Sequence, residues 1–299
     1  MSYHPDEIRV QELAGVRHIA ERNQGIHTDI PPLAQQFLEA QPFLIVGAAQ
    51  EDGRMWASAL FGQPGFLQGL DSYSLRIQAL PAPQDPFYNS MSVGNKLGTL
   101  AIDFATRRRM RTNGFIHEIH ENNFIFQALE VYSNCPKYIQ TRDWSIDDKS
   151  KEERHYTRLT ALNEETKGLI AAADTFFITS HHPQYGADAS HRGGMPGFVR
   201  ILDDRTISFP DYKGNAMFNT LGNLSGYPQA GLLFLDFNSG RMLQLSGTVE
   251  VQWELDDTSG SPMIERTVCF HIEQGMLTAH GMPLSWSFGS YSPANPQIE

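Results

Sequence analysis

Alternating apolar and polar residues predict that this chain is built mostly from short strands. Two apolar runs, residues 198–199 and 207–209, flank a polar turn at residues 202–205, so they are interpreted as two strands with a tight connection. Residues 240–251 alternate in the manner of a half-buried strand. Residues 269–272 and 284–288 are interpreted as closing strands. The chain is therefore predicted to be mainly β, with peripheral helices.

Four stretches are predicted to be helical. Apolar residues recur at roughly helical spacing over residues 6–23, which indicates an amphipathic helix on the surface of the fold. A short helix is expected after Pro31 and Pro32, and another over residues 163–173. The fourth begins at Gly214 and Asn215 and continues to about residue 224, with Asn215 as its N-cap. Its first turn is a candidate anion site, because free N–H groups and the helix dipole point there.

The chain contains an internal repeat. Residues 56–66 align without a gap with residues 188–198, at a constant offset of 132. With one residue of slippage, residues 98–104 then fall on residues 231–237, and Arg108 falls on Arg241. Self-similarity at this period indicates two copies of one domain of barrel size. We place the boundary near residue 145, with domains at residues 1–144 and 145–299.

The two copies differ in their basic residues. His191, Arg192 and Arg200 of the second copy correspond to Ala59, Leu60 and Gln68 of the first. The first copy therefore keeps the scaffold and has lost the side chains suited to binding an anion.

Several strings resemble a known family. They are HRGGMPGFVRILDDRT (191–206), GNAMFNTLGNL (214–224), AGLLFLDF (230–237), NCPKYIQ (134–140) and YSPANP (291–296). Together they are similar to the pyridoxamine 5′-phosphate oxidase-related FMN-binding proteins, and the resemblance extends over nearly the whole chain. It implies two tandem FMN-binding split β-barrels that form a pseudo-dimer within one chain. The degenerate first copy then predicts one complete cleft, whose phosphate side comes from the second copy.

The resemblance and the residue types together nominate a cofactor site. Arginine suits a phosphate because its planar fork donates paired hydrogen bonds, and glycine lets the backbone approach a flat ring. Where better-known members of the family have Arg and Lys at the helix start, this chain has Asn and Thr. The candidate cofactor-binding residues are His191, Arg192, Gly193, Gly194, Phe198, Val199, Arg200, Asn215, Asn219, Thr220 and Asn223 from the second copy, with Lys137 and Arg108 from the opposing wall. Arg107, Arg109 and residues 135–140 are further candidates for that wall, and Arg111 belongs to the same basic cluster.

Composition excludes several other classes of protein. A formal net charge of −11 argues against nonspecific binding of nucleic acid, and no apolar run is long enough for a membrane helix. Two cysteines, Cys135 and Cys269, predict a reducing cytoplasm rather than a disulfide framework. His181 and His182 lack a third metal ligand at suitable spacing, so no metal site is predicted.

These observations predict a flavoprotein. No hydrolase-type triad or carboxylate pair stands out, which fits a protein whose cofactor carries the chemistry. The expected activity is oxidation or reduction of a small molecule through noncovalently bound FMN, with no catalytic residue assigned. A noncatalytic flavin- or haem-binding protein, with His181, His182 or His191 as axial ligand, is the alternative, and an empty, degenerate cleft is a third interpretation. A separate reductase as electron donor and a further homodimer remain hypotheses.

Overall fold

The computed structural model describes residues 3–22, 25–133, 135–146, 153–254 and 263–296. Asn23 and Asn134, which belong to the predicted first helix and to one of the family strings, lie outside the described residues. Within these ranges the chain forms two large antiparallel sheets, one small two-stranded sheet and five α-helices.

The first sheet comes entirely from the first half of the chain. Its seven strands run in the order β2-β1-β5-β6-β7-β4-β3. Helix α3 (Pro32–Glu39) precedes them, and a 3-10 turn (Pro86–Ser90) separates β4 from β5. The strands are β1 (Phe43–Ala49), β2 (Met55–Phe61), β3 (Leu67–Gly69), β4 (Ser74–Ile77), β5 (Lys96–Asp103), β6 (Arg108–Ile119) and β7 (Phe124–Ser133).

The second sheet repeats this plan. Its main path runs β11-β10-β14-β15-β16-β13-β12, and β9 adds to β16. Helix α4 (Glu164–Ala172) precedes β10, and helix α5 (Asn219–Gly226) takes the place of the 3-10 turn. The strands are β9 (His155–Leu159), β10 (Thr175–His182), β11 (Gly186–Gly193), β12 (Arg200–Asp203), β13 (Thr206–Tyr212), β14 (Gln229–Leu235), β15 (Met242–Gln252) and β16 (Ile264–Ala279).

Equivalent positions confirm that the two barrels are copies of one unit. The strand orders coincide, and helices α3 and α4 begin 132 residues apart, at Pro32 and Glu164. A Cβ atom at Gly62 would meet the ring of Phe66, as one at Gly194 would meet the ring of Phe198. The predicted fold class is therefore confirmed: two tandem split barrels, mainly β with peripheral helices, are paired within one chain.

Three apolar clusters stabilise the pair. One fills each barrel, and the third lies between them, where Phe43, Ile45 and Leu100 pack with Phe177 and Leu233. Two glycines allow this close approach: a Cβ atom at Gly98 would lie 2.6 Å from the backbone of Asp188, and one at Gly231 2.7 Å from the backbone of Ala57. The contact surface between barrels is thus a buried core.

Two of the predicted helices differ from the observed ones. The N-terminal helix is divided into α1 (Pro5–Leu13) and α2 (Arg17–Ala20), because Gly15 adopts a left-handed φ of 68°. The fourth helix, α5, begins at Asn219, so the prediction that Asn215 is its N-cap is wrong. The Asn215 side chain accepts a hydrogen bond from Met217 N–H and stabilises the preceding turn instead. Left-handed Phe218 occupies the N-cap position.

The strand predicted as residues 284–288 forms, but it does not close a barrel. This strand, β17 (Leu284–Phe288), pairs with β8 (Arg142–Ile146) in the two-stranded sheet. The boundary predicted near residue 145 falls within β8. Because β17 pairs with β8, residues 284–288 pack against the segment that links the two repeats. Each helix of the described residues is too short or too polar to cross a lipid bilayer.

Candidate functional site

A cavity of about 160 Å³ lies between the two barrels. The first barrel contributes β6 and residues 135–138, and the second contributes β11, the end of β13, the loop after it and the start of α5. Val16 and Ile19 of the N-terminal segment form part of the wall. The cavity is therefore built from three separate regions of the chain.

Positive charge is concentrated around this cavity, although the chain as a whole carries a net charge of −11. Two carboxylates, Asp211 and Glu265, belong to the wall. The cationic wall residues are Arg109, Arg111, Lys137, Arg192 and Lys213. A cavity with this excess of cations favours an anionic ligand.

Arg109, on β6 of the first barrel, is a cation that no carboxylate neutralises within the described parts of the chain. Its guanidinium donates to the carbonyl oxygen of Cys135 at 2.9 Å, and to Nδ1 and the carbonyl oxygen of His191 at 3.2 and 3.3 Å. Its Nε has no partner. Burial, together with the positive charges of Arg111 and Arg192, lowers the pKa of Arg109 to about 9, so the side chain remains charged at neutral pH.

His191 is held as a neutral donor by this contact. An arginine can only donate, so Nδ1 of His191 must accept and the ring proton must reside on Nε2. Burial and the neighbouring arginines lower the pKa of His191 well below its usual range, which also favours the neutral ring. Nε2–H is buried and has no hydrogen-bond partner among the residues that the structure describes. The ring therefore retains one unused donor.

The floor of the cavity is a polar network centred on Asp188. This carboxylate is 2% exposed and accepts hydrogen bonds from Arg111, Tyr132 and Thr220 at 2.9–3.2 Å. Arg111 also donates to Ser190 at 2.6 Å. Because both barrels contribute to it, the network fixes their relative position at the site.

A second buried ion cluster closes the far side. Arg192 donates to Asp211 at 2.7 Å, and the other oxygen of Asp211 lies 3.1 Å from Nε of Arg266. Arg192 keeps an unpartnered Nε. Tyr138 and Tyr212 pack against each other beside this cluster, with ring centroids 5.0 Å apart. Asp211 therefore orients Arg192 without using all of its donors.

The start of α5 is occupied by a carboxylate from the N-terminal helix. Asn219 donates to Glu7 at 2.6 Å, and the Glu7 side chain also accepts from His4 N–H at 2.8 Å. A Cβ atom at Gly222 would lie 2.8 Å from Cα of Glu7, so α1 packs directly on α5. In this structure the carboxyl group beside the start of α5 is thus part of the chain itself.

Glu7 should make stability depend on pH. Burial raises its pKa to about 7. A carboxyl group with a raised folded pKa binds more protons in the folded chain, so its contribution to stability is complete below about pH 4.5 and is lost as the pH rises towards 7. The pKa values of His4 and His181 are lowered to about 4, which acts in the opposite direction, so the effect of Glu7 must be measured as a difference between variants.

We therefore expect Glu7→Gln to gain stability relative to the original chain as the pH rises from 5 to 8, by about 1–3 kcal/mol. Urea unfolding at four pH values in this range measures the difference. Glu12→Gln, on an exposed position of the same helix, is the control. A pH-independent difference for Glu7→Gln would contradict the raised pKa.

The structure brings eight of the predicted site residues to this cavity. The remaining five lie elsewhere: Gly194 packs against Phe198, Val199 is in the core of the second barrel, Arg200 and Arg108 are exposed, and Asn223 donates to Ser180. Residues of the cavity wall that are also predicted from sequence are Lys137, His191, Arg192, Gly193, Phe198, Asn215, Asn219 and Thr220.

The sequence names Arg107, Arg108 and Arg109 as candidates for the opposing wall, and the structure places Arg109 at the cavity. Arg111, noted only as a member of the same basic cluster, was missed as a site residue. Arg109 and Arg111 both lie on β6, and alternation along a strand places residues two apart on the same face. That periodicity was the available signal. Nothing in the sequence indicates that Val16 and Ile19 contribute to the wall.

The other cleft of the pseudo-dimer is filled by apolar groups. At the positions equivalent to Arg109 and Asp188 it has Met242 and Trp56, both buried. Gln244 stands at the position of Arg111 and donates to Ala57 O and to the buried Asp85 carboxylate. The positions equivalent to Arg109, Arg111 and Arg192 therefore carry no cation in the second cleft, where they are Met242, Gln244 and Leu60.

Comparison with known proteins gives one family match. Residues 162–275 match the family described as pyridoxamine 5′-phosphate oxidase. No match is found among the curated proteins.

Solved structures with a similar fold include three bacterial proteins. HupZ from Group A Streptococcus is 16% identical and covers 38% of this chain and 90% of its own, with a TM-score of 0.31. A Clostridium acetobutylicum protein related to general stress protein 26, of the pyridoxinephosphate oxidase family, is 14% identical over 42% of this chain and 92% of its own, with a TM-score of 0.31. An FMN-binding protein from Syntrophomonas wolfei is 12% identical over 36% of this chain and 80% of its own, with a TM-score of 0.26. The region that matches the pyridoxamine 5′-phosphate oxidase family model forms most of the second barrel.

Proposed function

We propose that this chain is an FMN-binding flavoprotein that oxidises or reduces a small molecule at the cavity between its barrels. The observation that carries the proposal is the Arg109 guanidinium, a half-buried cation with a buried, unpartnered Nε and no carboxylate partner among the described residues. Burying an uncompensated charge is unfavourable, so such a group is expected where a bound anion completes the site. The family match of the second barrel supports a flavin phosphate as that anion.

The donors of the cavity fit a phosphate. Arg109 and Arg192 have unused Nε–H groups, His191 has an unused Nε2–H, and Lys137 lies on the same wall. These side chains would hold the phosphate by charge-assisted hydrogen bonds. Tyr138 and Tyr212 would border the ring. The isoalloxazine ring, when bound, supplies the electron or hydride transfer, and the protein supplies position and electrostatics.

The volume of the cavity sets a condition on binding. Its 160 Å³ is smaller than the ~300–1,000 Å³ that is typical for an organic ligand. Side chains from the N-terminal segment, Val16 and Ile19, border the cavity, and α1 covers the adjoining face of α5. Binding of the whole cofactor therefore requires this segment to move outward.

The experiment that tests the proposal is the absorption spectrum of the purified chain after incubation with excess FMN and removal of unbound FMN. We expect the bands of an oxidised flavin, near ~370 and ~450 nm, at about one flavin per chain. One flavin, rather than two, is expected because the second cleft is filled by Met242 and Trp56. Loss of all flavin during removal would contradict the proposal.

The haem alternative predicts a Soret band in the same experiment. The geometry of His191 disfavours it as an axial ligand, because Nδ1 accepts from Arg109 and Nε2 carries the proton. His181 and His182 do not belong to the wall of the cavity. A Soret band that is lost in His181→Ala or His182→Ala would replace the flavin proposal with the haem proposal.

A further inference from the structure

A second, larger depression lies on the first barrel, between helix α3 and the hairpin that joins β5 to β6. We name it the α3 groove. Its volume is about 850 Å³, and its apolar surface comes from Leu33, Phe37 and Met110. Arg107 and Arg108 line it from the hairpin. The groove thus combines an apolar surface with a cationic edge.

In the second barrel, an ion pair occupies the position equivalent to this groove. There, Arg241 of the β14–β15 hairpin forms ion pairs with Glu165 of helix α4 at 2.7 Å and with Asp236 at 3.0 Å. Arg241 is the repeat equivalent of Arg108, and Glu165 lies 132 residues after Leu33 at the same position of its helix. A carboxylate on the helix therefore neutralises the hairpin arginine in the second copy.

The first copy has lost that carboxylate and kept the arginine. Leu33 stands in place of Glu165 and is 78% exposed. Arg108 is exposed and has no hydrogen-bond or ion-pair partner in the part of the chain that the structure describes. The Asp103 carboxylate also lines the groove and accepts from Ala105 N–H and from Thr106 in the hairpin turn, as its equivalent Asp236 accepts from Asn238 N–H and Ser239, but Asp103 forms no ion pair with Arg108 among the described residues. Both halves of the missing contact, the cation and the helix surface, are therefore available to a ligand.

We propose that the α3 groove binds a small organic carboxylate with an apolar body, such as an aryl or acyl carboxylate. Its carboxylate pairs with Arg108, as Glu165 pairs with Arg241 in the second barrel. Its apolar body packs on Leu33, Phe37 and Met110, which removes exposed apolar surface from water. The proposal does not depend on FMN, because only Arg109 is shared between the groove and the cationic cavity.

Fluorescence titration of the full chain with 1-pyrenebutyrate, in the absence of FMN, tests this assignment. The matched neutral probe is 1-pyrenebutanol, which has the same ring and chain but no charge. We expect the carboxylate to bind about twofold to fivefold more tightly than the alcohol, the effect of one exposed ion pair. Arg108→Gln should remove this preference and leave the affinity for the alcohol unchanged.

Leu33→Glu should restore the contact of the second barrel and weaken binding of 1-pyrenebutyrate by about twofold to fivefold, because the new carboxylate competes for Arg108. Controls are Leu202→Glu, on another exposed leucine, and Arg158→Gln, on an exposed arginine of β9. Equal affinity for the two probes, or an unchanged preference in Arg108→Gln, would overturn the proposal. So would sedimentation of the original chain as a dimer that Leu33→Glu dissociates, because a second copy would then cover the groove.

Discussion

Arg109→Gln should lower the affinity for FMN by about 10-fold to 100-fold, the effect of losing one or two charge-assisted hydrogen bonds. The same change should leave the ligand-free chain as stable as before or more stable. Arg109 has no ion-pair partner among the described residues, and Arg111 and Arg192 repel it, so its charge is unfavourable until an anion arrives. Opposite effects on binding and on stability are characteristic of a residue that is kept for a ligand.

Two measurements check this expectation. Equilibrium titration with FMN gives the affinity, and urea unfolding without FMN gives the stability. Arg109→Lys is the second variant, because it keeps the charge and loses the planar guanidinium. Its affinity for FMN should lie between that of the original chain and that of Arg109→Gln. An Arg109→Gln chain that is destabilised but binds FMN normally would show that Arg109 has a structural role.

Asp188→Asn should lower the free energy of unfolding by about 3–5 kcal/mol, the usual cost of leaving a buried charge unpaired. Asp188 is 2% exposed and neutralises Arg111, which is 7% exposed. It also accepts from Tyr132 and Thr220, which belong to different barrels. The substitution therefore leaves a buried guanidinium without a counterion at the contact between the barrels.

Urea unfolding measures the loss, and Asp143→Asn, on an exposed position of β8, should change stability by less than about 0.5 kcal/mol. The double variant Asp188→Asn with Arg111→Met should recover part of the loss, because it removes the uncompensated charge as well. A double variant as unstable as the sum of both single variants would contradict the ion-pair explanation.

Local patterns were sufficient to predict most elements of the fold. The 132-residue offset, read from matching Gly and Pro positions, predicted the two barrels that the strand orders confirm. Helix α4 begins after Asn163, as predicted, because an Asn cap and its hydrogen bond to Thr166 involve residues three apart. Such signals are visible in a sequence since the residues that make them are neighbours.

The contacts that define the site depend on residues that are distant in the chain. The sequence nominated the whole run Arg107, Arg108 and Arg109, yet only Arg109 reaches the cationic cavity, because the pairing of β6 with β5 and β7 decides which of these side chains approaches the second barrel. Glu7 accepts a hydrogen bond from Asn219, which lies 212 residues later in the chain. No local sequence pattern predicts this hydrogen bond.

The sequence by itself thus determined the repeat, the class of fold and the loss of basic residues from one copy, because these properties reside in residue type and spacing. Only the tertiary structure decided that Arg109 lacks a counterion, that Glu7 occupies the start of α5, and that Arg108 faces an open groove where Arg241 meets a glutamate. These are properties of charge and burial, which arise when distant segments exclude water from one another.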